Sequence, residues 1–160
     1  GETSCSAWAC HNGTPNIGGG NKMITAMEDI SNGYIPGNSY NIMPFVTQTG
    51  VTKIGFQTVA LLSNGQGAGS IIITNIKTQV TPSGGKQYVT HTASGNLNVG
   101  MHDWMYEWQA PPAGSGTVTI YAAFIASNNN MVADSFDCVY TDSLVIPENT
   151  TGINEAGKGE

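Results

Sequence analysis

Apolar and polar residues alternate in short runs along most of this chain, the period-two pattern of half-buried strands. Tyr40 to Thr47 places Tyr40, Ile42, Pro44 and Val46 on one face and Asn41, Met43, Phe45 and Thr47 on the other. In Thr52 to Leu62, Ile54, Phe56, Thr58, Ala60 and Leu62 alternate with Lys53, Gly55, Gln57, Val59 and Leu61. His102 to Trp108 puts Trp104, Tyr106 and Trp108 on one face of a single strand. Gly116 to Ala126 and Phe136 to Ile146 read the same way, and shorter strands are expected at Met23 to Glu28, Ser70 to Asn75 and Lys86 to Thr92. Turns fall at Tyr34-Ile35-Pro36-Gly37, at Pro82-Ser83-Gly84-Gly85 and at Asn128-Asn129-Asn130, where proline presets φ or glycine and asparagine accept a positive φ. Pro44 has no N–H for a ladder and predicts an edge strand or a bulge.

About eight such strands at spacings near ten residues, with no sustained helical period, predict an all-β fold, an antiparallel β-sandwich of immunoglobulin-like type. The predicted organisation is an N-terminal loop over residues 1–22, a sandwich over 23–147 and a linker or tail over 148–160. Twenty-one glycines and seven prolines supply the turns.

Charge narrows the function classes. The net charge is −6, and the basic residues are five lysines, Lys22, Lys53, Lys77, Lys86 and Lys158, with no arginine. They are scattered, so a nucleic-acid backbone has no electrostatic footprint to meet. No apolar run reaches the roughly 18 residues of a membrane-spanning helix. The chain begins at Gly1, which suggests a trimmed, exported product, and a Lys-poor, Asn/Thr-rich composition points the same way. Nothing matches the common hydrolase, zinc-protease or phosphate-loop motifs, and Cys138 has no basic neighbour to lower its pKa. The expectation is a protein that is not an enzyme.

The densest chemistry lies in Cys5-Ser6-Ala7-Trp8-Ala9-Cys10-His11. Two cysteines followed by histidine resemble the C-x-x-C-H arrangement that attaches a c-type haem through two thioethers and one imidazole–iron bond. Here four residues separate the cysteines, a spacing that resembles a lengthened variant of some multihaem cytochromes. A Cys5–Cys10 disulfide is the other reading, and on this stretch alone the two stand level. The Gly-rich segment after His11 is ordered only if something pins it, and haem is one such pin. Cys138, in an alternating run, reads as a buried free thiol.

Several phrases together resemble one family. They are Tyr34-x-Pro36-Gly37-x-x-Tyr40, Gly55-Phe56, Gly85 to Thr92, Trp104-x-Tyr106-x-Trp108-x-Ala110-Pro111 and Gly116 to Ala123. They resemble the reeler-like domain of secreted bacterial proteins called choice-of-anchor V proteins, over nearly all of residues 1–147. In that family the N-terminal phrase looks like a small segment followed by C-x-x-C-H, and Cys5 to His11 sits in its place with two extra residues. The resemblance implies export by the type IX secretion route of Bacteroidetes-type bacteria, with residues 148–160 as the linker before a removed sorting domain. Asp142-Ser143-Leu144 resembles the O-glycosylation pattern of those organisms.

With Cys5, Cys10 and His11 holding a haem, a second axial ligand must come from the sandwich. His91, at a strand end within one of the shared phrases, is the first candidate and His102 the second. Met43, Met101, Met105 and Met131 are thioether alternatives. Trp8, Tyr88 and Trp104 are candidates for packing against the ring. Asp134, Asp137 and Asp142 lack the spacing of a calcium loop. The expected function is an extracellular c-type cytochrome-like domain with one covalent haem c, transferring electrons and packing into a homo-oligomer, filament or surface array. The alternative is a haem-free adhesion or carbohydrate-binding module stapled by Cys5–Cys10.

Overall fold

The computed structural model describes residues 14–96, 100–132, 134 and 137–151. Their strands are β1 (Asn21–Ala26), β2 (Ser39–Thr47), β3 (Lys53–Leu62), β4 (Ser70–Ile72), β5 (Thr78–Ser83), β6 (Lys86–His91), β7 (Met101–Asp103), β8 (Tyr106–Gln109), β9 (Val118–Ser127) and β10 (Cys138–Ile146). One sheet has the order β1-β2-β8-β4, with β7 also on β2, and the other has the order β10-β9-β3-β6-β5. All strand pairs are antiparallel. The chain is an all-β sandwich, as its alternation predicts.

The inward residues of β3 and β9 supply one wall of the core, with Ile54, Phe56, Ile120 and Phe124 buried. The other wall is aromatic, with Trp104, Tyr106 and Trp108 at 2%, 1% and 0% exposure. Each aromatic polar tip is satisfied, as burial requires. The indole N–H groups of Trp104 and Trp108 donate to the carbonyls of Gly95 (2.7 Å) and Ala68 (2.8 Å), and Tyr34 donates to the Gly116 carbonyl (2.7 Å). Thr58 and Tyr106 share a hydroxyl–hydroxyl bond of 2.9 Å.

Three expectations are corrected. The strand predicted over His102 to Trp108 is two strands, β7 and β8, interrupted at Trp104 and Met105. Pro44 is the reason: the register places it opposite Trp104, which donates its N–H to the Pro44 carbonyl (3.0 Å) and finds no N–H in return. Pro44 therefore lies in a strand flanked on both sides, not at an edge, and its missing donor falls at the interruption. The third is β5, which pairs with β6 through a two-residue turn at Gly84 and Gly85. Both glycines have positive φ (57° and 77°), the type I′ geometry that suits a hairpin, so Pro82 and Ser83 end the strand and are not the turn itself. The sandwich thus has ten strands among the described residues, against about eight expected.

The segment after β10 stays on the body where a tail was expected to begin. Asn149 donates its N–H to the Tyr34 carbonyl (2.8 Å). The Glu148 carboxylate accepts the N–H groups of Gly114 (2.8 Å) and Gly116 (2.7 Å), which hold its pKa below the usual carboxylate range.

Candidate functional site

Cys5, Cys10 and His11, together with Trp8, lie outside the described residues, so the site is built from the surface onto which they lead. Thr14 to Gly20 runs along β10. Asn16 donates its backbone N–H to the Val139 carbonyl (2.9 Å) and pairs its side chain with Thr141, through Nδ2 to Oγ1 (3.0 Å) and from the Thr141 N–H to Oδ1 (2.9 Å). Gly20 donates to the Tyr140 hydroxyl (2.9 Å), whose pKa burial raises. At Gly18 a β-carbon would overlap both Cys138 Sγ and Tyr140 Oη, so only glycine lets the segment pass this close. Cys138 is a half-buried free thiol under that crossing, less enclosed than its alternating run predicts. Hydrogen bonds to β10 are therefore pins for this Gly-rich segment.

His91 closes β6, and its side chain takes over where the backbone ladder stops. β3 and β6 pair from Val59↔Tyr88 to Gln57↔Thr90. At the next position the imidazole Nδ1 stands 3.2 Å from the Phe56 N and 3.3 Å from the Phe56 carbonyl oxygen. With the proton on Nε2, Nδ1 accepts the Phe56 N–H; with the proton on Nδ1, it donates to the carbonyl and leaves the Nε2 lone pair free. Among the described residues Nε2 has no hydrogen-bond partner. Gly55 makes room for the ring, since a β-carbon there would lie 2.5 Å from His91 Cε1. The half-buried imidazole lines a cleft of about 190 Å³ with Lys53, Gly55, Asn96 and Ile125.

The register aligns this cleft with the N-terminal segment. Val139 is paired with Ile125, Ile125 with Gly55, and Gly55 lies against His91. One cross-strand row therefore runs from the Asn16 anchor on β10, over β9 and β3, to the imidazole on β6. Three strand spacings make it about 14 Å long.

The second histidine is placed differently. His102 lies on β7 in the other sheet, 5% exposed, with its ring edge-on to Trp104 at 4.3 Å between centroids. Burial pushes its pKa down and Lys77 adds to this, against smaller upward effects of Asp103 and Gly95. Trp104 stacks on Phe56 (4.4 Å) inside the core, behind His91, and does not line the cleft. Met101 and Met131 are exposed, at 57% and 98%, and none of the four candidate methionines lines the cleft. Asp142 accepts the Ile24 N–H (3.0 Å). Among the described residues no cluster of His, Cys, Asp and Glu could hold a metal ion on its own, and no helix is long and apolar enough to cross a membrane. Lys53, Gly55, Ile125 and Asn16 were missed as site residues. A glycine inside an otherwise regular strand, as at Gly55, is the one local signal of a close approach.

The two sheets, their order and the aromatic wall define a reeler-fold β-sandwich. The human F-spondin reeler domain superimposes with a TM-score of 0.58 at 22% identity, covering 79% of this chain and 88% of that one. The Reelin-N domain of F-spondin gives a TM-score of 0.59 at 21% identity, covering 79% and 85%. At these identities the likeness establishes the fold. No protein-family model matches the sequence, and no curated protein matches it.

Proposed function

We infer that this chain is an extracellular, c-type cytochrome-like domain that carries one covalent haem for electron transfer. Cys5 and Cys10 would attach it through thioethers, and His11 and His91 would bind its iron. The observation that carries this reading is the setting of His91. An iron-binding histidine ordinarily donates its second ring N–H to a carbonyl or carboxylate, and the Phe56 carbonyl stands 3.3 Å from Nδ1. The donor set therefore fits: one nitrogen is oriented by backbone, and the other is available at an apolar cleft.

When bound, haem supplies a one-electron iron couple. The chain's own residues do the rest. The Phe56 backbone holds the rotation of His91, its carbonyl would accept the Nδ1 proton in the tautomer that leaves Nε2 for iron, Gly55 leaves the ring its place, and Ile125 offers an apolar surface beside it. The anchor at Asn16 holds the arm on the same row. Asn16 bonds the outer edge of β10, so it stands four strand spacings, about 19 Å, from His91. The five residues from His11 to Asn16 span at most about 17 Å when extended, which allows His11 to approach the cleft without crossing the whole row. Two strong histidine ligands leave no open position for substrate, which favours electron transfer over catalysis. The resemblance to choice-of-anchor V proteins supports export to the cell surface or medium.

A haem-free adhesion or carbohydrate-binding module with a Cys5–Cys10 disulfide is the second reading. It is favoured by the hydrogen bonds of Asn16 and Gly20, which order their segment without any cofactor. Absorption and intact mass of the purified protein separate the two. A Soret band, a sharp reduced α band and a mass raised by one haem support the first. A colourless protein, lighter than its reduced mass by the hydrogens of one disulfide, overturns it. A His91→Ala variant that keeps the native low-spin spectrum removes His91 from the ligand set.

A further inference from the structure

We propose that Lys53 is the carboxylate anchor of the His91 cleft, the residue that pairs with a haem propionate; this rests on the haem reading above. Lys53 opens β3 and lies two residues before Gly55, so the two share a face about 6.6 Å apart along the strand. Gly55 is the residue against which His91 sits, and Lys53 is the one charged side chain lining the cleft among the described residues. Lys53 makes no ion pair among them, although the chain has eleven acids for five lysines. Its wall-mates Ile54, Ile125, Asn96 and Ser127 carry no charge, so nothing in the cleft competes for the ammonium.

A half-buried lysine and an imidazole lining the same cleft, on an otherwise uncharged wall, suit a ligand with a metal at one point and a carboxylate a few ångströms away. A haem with its propionates is such a ligand. The pair holds the propionate ionised and gives the ring one orientation in the cleft. It also sets the reduction potential, because a cation near the ring disfavours the extra positive charge of ferric iron.

The test is a redox titration of the intact, haem-loaded protein as a function of pH, for wild type, Lys53→Gln, Lys53→Arg and the control Lys22→Gln on the other sheet. Lys53→Gln is expected to shift the one-electron equilibrium toward the ferric form several-fold, with tenfold corresponding to about 59 mV. The fall of potential that accompanies propionate ionisation should move to higher pH in this variant. Lys53→Arg should restore both features. The proposal is overturned if Lys53→Gln behaves as Lys22→Gln does while the low-spin spectrum persists, which leaves the haem reading intact. Wild-type protein that contains no haem overturns both.

Discussion

Replacing Gly55 by alanine separates the site from the fold. The backbone permits the change, because Gly55 is not among the glycines with positive φ. Alanine also reduces the freedom of the unfolded chain, which contributes about 0.4–1 kcal/mol of stability at a compatible position. Against this, the new β-carbon would stand 2.5 Å from His91 Cε1 and 3.0 Å from Nδ1, so the imidazole must leave. The cleft is open enough for the ring to swing outward, and the main loss is then the pairing of Nδ1 with Phe56, about 0.5–1.5 kcal/mol. The two contributions nearly offset, giving a net change within about 1 kcal/mol of zero. If the ring could not move, overpacking would cost about 1–3 kcal/mol instead. The expected result is thus an almost unchanged urea midpoint with a displaced Phe56 amide resonance and, if the proposed haem is bound through His91, a changed haem spectrum. A Gly55→Ala protein whose Phe56 amide and His91 ring resonances stay at their wild-type positions refutes the placement of His91. A variant that unfolds outright refutes the claim that the ring can leave.

Three further outcomes follow from the same structure. His102, with its pKa below the ordinary 6.5, binds fewer protons folded than unfolded just below that pH. Its contribution to stability is complete above 6.5 and declines as pH falls toward its folded-state value, so the urea midpoint should drop on acidification; an NMR titration of the ring above 6.5 contradicts this. Tyr106→Phe leaves the Thr58 hydroxyl buried without its partner and should cost about 1–3 kcal/mol in chemical denaturation, most of it recovered by adding Thr58→Val. Asn16→Ala removes the side-chain pair with Thr141 and should speed proteolysis before Ile17 while moving the urea midpoint little; unchanged cleavage rates would mean that the anchor does not hold the arm.

Strands β2, β3, β9 and β10 are legible in the sequence because one face of each meets the core and the alternation survives. β5 is not, because it lies at a sheet edge. Only Thr78 and Val80 are even partly covered in its first five residues, and the others are exposed, which leaves no period to read. The break between β7 and β8 is caused by Pro44, some sixty residues away in sequence, and becomes visible only when the register sets Pro44 opposite Trp104. Glu148 reads as the start of a polar tail, yet two glycine amides of another loop collect its carboxylate. The candidate site divides along the same line. His91 stands out as a histidine at a strand end, whereas Lys53, Gly55, Ile125 and Asn16 become its neighbours only through cross-strand pairing.

Cross-strand pairing also gives the two histidines of the sandwich different surroundings. As sequence, His91 and His102 are alike, each in or beside a β-rich run. In the fold, His102 lies edge-on to Trp104, which in turn stacks on Phe56. A ligand reaching His102 would have to open that aromatic wall, and removing a buried tryptophan from its packing costs about 3–5 kcal/mol. His91 asks for no such opening, because its ring already lies where the β3–β6 ladder ends, at a cleft that Gly55 keeps free of a side chain. The anchor of the described N-terminal segment on Val139 and Thr141 adds a further difference between the two histidines. Asn16 lies on the edge strand β10 of the sheet that holds His91, and the row through Ile125 and Gly55 leads from β10 to that histidine, whereas His102 lies in the other sheet.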